Sequence, residues 1–213
     1  MLTAAMLLVA GVASAQDSAQ KKAAGSGAER PVLLVLGDSL SAEYGLARDT
    51  GWVKLLEQRL SQQRAGQYSV VNASISGETT SGGRTRLPAL LKNHRPALVV
   101  IQLGANDGLR GLSLDVMRAN LRAMVEASRN AGARVLLVGI RIPPNYGRDY
   151  TERFFQAFGE LARELKVGHA PFLLDGIAED LGFFQADRIH PNEKAQARLL
   201  ENVWPYLQPL LRR

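Results

Sequence analysis

The stretch PVLLVLGDSLS, residues 31–41, decides the fold of this chain. Five apolar residues in a row, Val32–Leu36, are typical of a strand that is buried on both faces of a parallel sheet. The run ends at Gly37, and a carboxylate and a hydroxyl follow at Asp38 and Ser39. Ligands bind at the carboxyl ends of strands in such sheets, so Ser39 is a candidate nucleophile. The alternative is that Ser39 only caps the helix that comes next.

Further apolar runs alternate with segments of helical periodicity along the rest of the chain. We expect four more strands at 68–71, 98–103, 134–140 and 170–174, and helices at 51–60, 84–93, 113–130, 150–166 and 193–211. This alternation predicts parallel βαβ units with right-handed crossovers. The expected fold is therefore α/β, with three α/β/α layers around a five-stranded, mainly parallel, doubly wound sheet of the flavodoxin-like kind.

Length and composition indicate one domain and a chain that is exported. Leu2–Ala13 is apolar and Ala13-Ser14-Ala15 fits a cleavage site, so we expect a signal peptide at 1–15, although no Lys or Arg precedes the apolar run. Residues 16–30 are rich in Ala, Gln, Lys, Ser and Gly, which predicts a disordered tether. The domain is then expected at 31–213, and the mature protein in the periplasm or secreted.

The charge and the cysteine count exclude several classes of function. The chain has no cysteine, which excludes disulfides, cysteine nucleophiles and thiolate metal sites. Its net charge of +6 is scattered, without the basic runs and interleaved aromatic residues of a nucleic-acid-binding surface. We expect a monomer that needs no cofactor or metal and acts on a small-molecule ester or lipid. Weak attraction to anionic membrane surfaces stays open.

Polar residues follow the other expected strands, at the same edge of the sheet as Ser39. Asp187 and His190 lie three residues apart in a turn, where a carboxylate can fix the tautomer of an imidazole. Gly77 can offer a backbone N–H and Asn106 a side-chain amide to a developing oxyanion. Each of these signals alone is also what an ordinary turn or surface residue would give. Together they supply every part that an activated serine requires.

Four short blocks of the sequence resemble those of the SGNH (GDSL) hydrolase family, in the same order and over essentially all of residues 31–211. The blocks are Gly37-Asp38-Ser39-Leu40, Gly77 in the loop after the second strand, Gly104-x-Asn106-Asp107 and Asp187-x-x-His190-Pro191. Within the family the chain resembles bacterial thioesterase I/protease I/lysophospholipase L1 enzymes and related arylesterases. That closer resemblance rests on NASISG (72–77), RLPALL (86–91), NDGLRG (106–111) and PNYG (144–147).

The resemblance implies a role for each matching residue. It implies Ser39 as nucleophile, His190 as general base and Asp187 as the acid that orients it, with an oxyanion hole from the Ser39 amide, Gly77 and Asn106. It also implies a substrate-contacting loop at 107–112, with Leu109 against the acyl chain, and a facing loop that carries Asn145 and Tyr146.

The chain departs from the family pattern in three places. Arg188 stands where the subgroup usually has glycine, Glu43 where a small residue is common, and Ala105 where a second glycine is usual. Because Arg188 adds bulk and charge beside the triad, we expect its main effect on leaving-group preference.

The resulting hypothesis is a serine ester hydrolase that cleaves acyl esters, acyl thioesters or lysophospholipids through an acyl-enzyme. One alternative is an esterase for O-acetylated polysaccharides, because related folds host several ester substrates. A second is a non-catalytic module that binds a ligand at the same sheet edge, although residues 37–41 lack a dinucleotide or phosphate-loop pattern. The G-x-S-x-G elbow of α/β-hydrolases is absent.

Overall fold

The fold is built on a five-stranded, fully parallel sheet. The computed structural model describes residues 30–62 and 68–211, so the expected signal peptide at 1–15 and nearly all of the tether at 16–30 lie outside the described residues. The strands are β1 (Val32–Gly37), β2 (Ser69–Asn72), β3 (Leu98–Gln102), β4 (Arg134–Val138) and β5 (Gly168–Ala170). They pair in the order β2-β1-β3-β4-β5. This order confirms the doubly wound α/β fold that the sequence predicts.

Helices cover both faces of the sheet. They are α1 (Trp52–Gln62), α2 (Thr80–His94), a short α3 (Ala105–Leu109), α4 (Leu114–Asn130), α5 (Arg148–Leu165) and α6 (Gln196–Leu211). Helices α1 and α6 pack together on one face, and α2, α4 and α5 pack side by side on the other. Among the residues described, no helix has the length and apolarity needed to cross a membrane.

The site lies where the strand order reverses. After β1 the chain builds β2 on one side and then returns to place β3 on the other, so the crevice opens between the ends of β1 and β3. Both strands are almost completely buried because their side chains are apolar on both faces. Gly37 ends β1 opposite Gln102, the polar residue that ends β3. The loops that carry Ser39 and Asn106 therefore start side by side.

Two local expectations are wrong and one alternative is excluded, each for a physical reason. The fifth strand is Gly168–Ala170 rather than 170–174, because Pro171 has no N–H to continue the ladder. Helix α2 begins at Thr80 rather than 84, since Thr79 caps it and two glycines hide its helical signal. Residues 39–45 form turns and the next helix begins at Trp52, so Ser39 does not cap it.

Candidate active site

Ser39 lies in a tight turn at the end of β1. The backbone N–H groups of Ser41 and Ala42 both donate to the carbonyl of Asp38, at 3.1 and 2.9 Å, which folds the chain back immediately after the strand. The Ser39 hydroxyl lies 2.9 Å from Nε2 of His190, although 151 residues separate the two in sequence. The turn therefore holds a hydroxyl against an imidazole nitrogen at the mouth of the crevice.

The other side of the imidazole faces Asp187. Asp187 Oδ2 lies 2.6 Å from His190 Nδ1, and Oδ1 accepts the backbone N–H groups of Ile189 at 2.9 Å and His190 at 3.0 Å. Desolvation raises the pKa of Asp187, but hydrogen bonds from the backbone and side chain of His190 and from the Ile189 backbone outweigh it and lower the pKa to about 2. An ionised carboxylate there keeps the proton on Nδ1 and leaves the Nε2 lone pair for the Ser39 hydroxyl.

The sequence predicts three N–H donors for an oxyanion hole, those of Ser39, Gly77 and Asn106; of these residues, Ser39 and Asn106 line the cleft. Within the part of the chain that the structure describes, neither the Ser39 nor the Gly77 backbone N–H donates a hydrogen bond. Gly77 has a φ of 78°, a conformation that favours glycine, although a Cβ there would meet only a distant arginine nitrogen. Asn106 lines the same cleft as Ser39, and its Nδ2 donates to the carbonyl of Glu78 at 3.0 Å, which leaves its second N–H free.

A buried polar pair connects the Asn106 loop to helix α2. Asp107 accepts the backbone N–H of Thr80 at 2.8 Å and the Thr80 hydroxyl at 2.6 Å. Asn120 of α4 donates to the same hydroxyl at 3.2 Å, and all three side chains are buried. Since Asn106 and Asp107 adjoin in sequence, the Asp107–Thr80 pair fixes the backbone from which the Asn106 amide projects.

A second polar pair holds the loop that carries Gly77. Two nitrogens of the Arg86 guanidinium, on α2, donate to the carboxylate of Glu78, and Nε lies 2.8 Å from Oε1. The Arg86 guanidinium also donates to the carbonyl of Ala73 at 2.8 Å, at the other end of the loop. Two-point Arg–carboxylate contacts have fixed geometry. The loop between β2 and α2 is thus tied at both ends.

Asp38 is a completely buried carboxylate beside the nucleophile. Its Oδ1 accepts the Leu40 N–H and Nε2 of Gln102, each at 3.1 Å, while Oδ2 has no partner among the described residues. Burial raises the pKa of Asp38 to about 6, against the opposing effect of these hydrogen bonds. The network continues through the Ser41 hydroxyl to the indole N–H of Trp52. Asp187, not Asp38, contacts the histidine.

An open cleft of about 1700 Å³ begins at Ser39 and His190. Its walls include the three residues that the resemblance assigns to substrate contact: Leu109, Asn145 and Tyr146. The Tyr146 hydroxyl donates to the carbonyl of Leu109 at 2.8 Å, which joins the two facing loops. Arg188 also lines the cleft and has a φ of 58°, a left-handed conformation that is uncommon for a residue with a side chain.

The remaining histidines lie away from this cluster. His94 is the last residue of α2. His169 lies within β5, because that strand begins two residues before the expected 170, and its buried Nε2 has no partner among the described residues. Burial lowers its pKa, with a further contribution from Arg163. In the described part of the chain, no group of three or more His, Cys, Asp or Glu residues could hold a metal ion.

Sequence reasoning missed the residues that support the site. No sequence motif predicts the contacts of Thr80, Gln102 or the Glu78–Arg86 pair. Gln102 gave the clearest available signal, because it is a polar residue at the end of an otherwise apolar strand. The ring of Tyr44 lies against His190. Tyr44 directly follows Glu43, one of the three positions at which the chain departs from the family pattern.

Comparison with known proteins identifies relatives over most of the chain. Residues 35–198 match the GDSL-like Lipase/Acylhydrolase family. The chain is 54% identical to the esterase TesA of Pseudomonas aeruginosa over 179 residues, which are 84% of this chain and 89% of that protein. It is 42% identical to thioesterase 1/protease 1/lysophospholipase L1 of Escherichia coli, over 84% of each chain.

Solved structures agree with the described fold. The crystal structure of TesA superimposes with a TM-score of 0.82 and 53% identity, over 84% of this chain and 99% of that one. The psychrotrophic esterase EstA of a Pseudoalteromonas species, inhibited by monoethylphosphonate, superimposes with a TM-score of 0.80 and 40% identity, over 85% and 99%.

Proposed function

Because the chain belongs to the GDSL-like Lipase/Acylhydrolase family and is a serine ester hydrolase, we propose that it cleaves esters of hydrophobic acids by acyl transfer through Ser39. One observation carries the assignment of the reacting groups: the chain of contacts from Ser39 Oγ through the His190 ring to Asp187, at 2.9 and 2.6 Å. A hydroxyl, an imidazole and an oriented carboxylate in that order are what nucleophilic activation of serine requires.

The proposed reaction has two steps. Ser39 Oγ attacks the carbonyl carbon while His190 Nε2 takes the hydroxyl proton. The bond to the leaving oxygen or sulfur then breaks, and His190 returns the proton to the departing alcohol or thiol. Water next attacks the acyl-serine ester with His190 again as the base, which releases the acid and restores the Ser39 hydroxyl.

The negative charge that forms on the substrate oxygen needs hydrogen-bond donors. We assign this role to the backbone N–H groups of Ser39 and Gly77 and the free N–H of Asn106. What supports the assignment is that the two backbone groups make no hydrogen bond within the described residues and that the Asn106 amide is fixed by Glu78. Donors that are oriented before the reaction stabilise an oxyanion without reorganising.

The names of the relatives and the lining of the cleft support the proposed substrate class. The cleft is open, and Leu109 offers an apolar side chain in the same cleft as Ser39. Aryl esters, acyl thioesters and lysophospholipids all present a hydrophobic acyl group with a different leaving group. We therefore propose these three as substrates, with Leu109, Asn145 and Tyr146 on the acyl-binding side.

Two measurements test this proposal. A fluorophosphonate should label the wild type and Ser61→Ala, whose serine is exposed on α1, but not Ser39→Ala. Ser39→Ala should lower kcat on p-nitrophenyl esters by several orders of magnitude, because loss of the serine costs about 10⁶ in another hydrolase. Near wild-type activity in Ser39→Ala would overturn the assignment.

A rate profile across p-nitrophenyl acyl esters, acyl-CoA and lysophospholipid then separates the substrates. We expect rates to rise from acetyl to medium-length chains. Activity confined to acetyl esters and acetylated glycans would favour the polysaccharide esterase instead.

We further propose that the mature protein acts as a monomer outside the cytoplasm. The support for export is the apolar run at 2–13 and the Ala13-Ser14-Ala15 cleavage site, which lie outside the described residues. Protein recovered from the periplasm of expressing cells should begin at Gln16 and elute as a monomer. Weak contact with anionic membranes, proposed from the net charge of +6, should appear as salt-sensitive binding to vesicles of anionic lipid.

A further inference from the structure

Tyr44 is a surface aromatic residue whose ring lies against His190. The two ring centroids are 4.4 Å apart and the planes are inclined by 40°. The Tyr44 side chain remains 49% exposed, so burial in the core does not account for its position. Within the described residues the Tyr44 hydroxyl makes no hydrogen bond, and the Tyr44 ring contacts the imidazole of His190. This contact points to the aromatic face, rather than the hydroxyl, as the functional part of the side chain.

The backbone of Tyr44 is anchored to the same turn that carries His190. Gln185 Nε2 donates to the carbonyl of Tyr44 at 2.8 Å and to the carbonyl of Pro191 at 3.1 Å. The Gln185 backbone N–H donates to the carbonyl of His190 at 2.8 Å. A single glutamine thus braces the segment that holds the tyrosine ring and the segment that holds the imidazole. The backbones that carry the two rings are therefore linked through one residue.

Glu43 fixes the other end of the Tyr44 segment. It has a φ of 58°, and its carboxylate accepts the N–H groups of Asp49 at 3.0 Å and Gly51 at 2.7 Å. These bonds close the loop between the Ser39 turn and helix α1. The unusual residue that the sequence flagged therefore shapes the loop from which Tyr44 projects.

We propose that Tyr44 is a positioning residue for the general base, which holds the His190 ring by its face and stabilises the imidazolium that forms in the transition state. This inference rests on the proposed function, in which His190 carries the proton. An aromatic face attracts a cation that lies against it, and such contacts are worth about a two- to fivefold rate effect at an exposed site. Neutral imidazole in the ground state gains much less, so the effect falls on kcat.

We expect the other charged groups near His190 to keep their positions when Tyr44 is replaced, because they are held by bonds to other residues. Asp187 faces the imidazole from its own turn, Asp38 acts on it from the end of β1, and Arg188 precedes it by two residues. None of these groups makes a hydrogen bond or ion pair with Tyr44. A change in pH dependence after substitution can therefore be attributed to the loss of the ring.

The test compares Tyr44→Leu with Tyr44→Phe, which keeps the aromatic face and serves as the matched control. For Tyr44→Leu we expect kcat on a p-nitrophenyl ester to fall about two- to fivefold at nearly constant KM. The acid limb of its pH–kcat/KM profile should move about 0.4–0.7 pH unit lower, because the protonated base loses a stabilising contact. Tyr44→Phe should match the wild type in both measurements.

Two outcomes would overturn the proposed role of the Tyr44 ring, and a third would overturn the proposed function instead. A Tyr44→Leu variant with lower kcat and an unmoved acid limb would overturn the proposal in favour of simple packing. The proposal also fails if Tyr44→Phe is as impaired as Tyr44→Leu, because the hydroxyl would then be the active part. If the wild type hydrolyses no ester and Ser39 takes no fluorophosphonate, the proposed function itself fails. Thermal melts accompany each variant, and Tyr44→Met replaces Tyr44→Leu if that variant does not fold.

Discussion

The buried pair between Asp107 and Thr80 gives a quantitative test of how the oxyanion donors are held. Thr80→Val keeps the size of the side chain and the backbone N–H bond of 2.8 Å, but removes the 2.6 Å bond from the hydroxyl to Asp107. A hydrogen bond to a charged group contributes about 1.5–3 kcal/mol. Asn120 also loses its acceptor, which costs about 1 kcal/mol more. The free energy of unfolding should therefore fall by about 2.5–4 kcal/mol.

The same substitution should lower the reaction rate. Asn106 shares a short helix with Asp107, and complete loss of one oxyanion donor costs about 10²–10³ in kcat. A donor that is retained but less firmly held should lose between a tenth and a half of that effect on a logarithmic scale, which is a fall in kcat of about two- to tenfold at constant KM. Urea unfolding at pH 7 and steady-state kinetics on a p-nitrophenyl ester measure the two effects.

Thr85→Val is the matched control, since Thr85 lies on the same helix and is exposed, and within the described residues its hydroxyl donates only to the carbonyl of Ser81. Its unfolding free energy should change by less than about 0.5 kcal/mol and its kcat should not change. The reasoning is refuted if Thr80→Val behaves like Thr85→Val. Lower stability with an unchanged kcat would limit the Asp107–Thr80 pair to a structural role.

Three further predictions concern the reacting groups and the buried carboxylate. Asn106→Ala should lower kcat about 10²–10³-fold on a p-nitrophenyl ester, and an unchanged kcat would remove Asn106 from the oxyanion hole. Asp187→Asn should lower kcat about 10⁴-fold, because an amide favours the wrong imidazole tautomer; a small loss in stopped-flow kinetics would exclude that role. Burial raises the pKa of Asp38 to about 6, so its ionisation opposes folding. Relative to Asp38→Asn, the free energy of unfolding of the wild type, measured in urea, should fall by about 2–3 kcal/mol as the pH rises from 4 to 8, and a constant difference would contradict this.

The sequence predicts the sheet well because its strands are continuous apolar runs. Val32–Leu36 and the run at 98–103 have no amphipathic alternation, which is what a strand covered on both faces requires. Parallel strands then place every following polar block at one edge, so the contact between Ser39 and His190 could be anticipated across 151 residues. The weakest prediction was the fifth strand, where Phe172 and its neighbours are apolar but Pro171 ends the ladder.

The supporting contacts could not be predicted in the same way. Thr80 and Asp107 are 27 residues apart, and their bond depends on how far helix α2 approaches the loop after β3. The contact between Tyr44 and His190 depends on a loop conformation that includes a residue with positive φ. The periodicity of a sequence predicts which face of a helix or strand is buried. These contacts depend instead on how segments that are distant in sequence are positioned relative to one another.

The site lies on loops, so its rigidity has to come from bonds between loops rather than from the core. Asp107 joins the loop after β3 to α2, Glu78 joins Asn106 to the loop after β2, and Gln185 joins the histidine turn to the Tyr44 segment. Each of these bonds links segments that belong to different elements of the fold, and none involves a reacting atom. Core substitutions should therefore act mainly on stability, whereas substitutions in these three bridges should lower kcat more than their cost in stability explains.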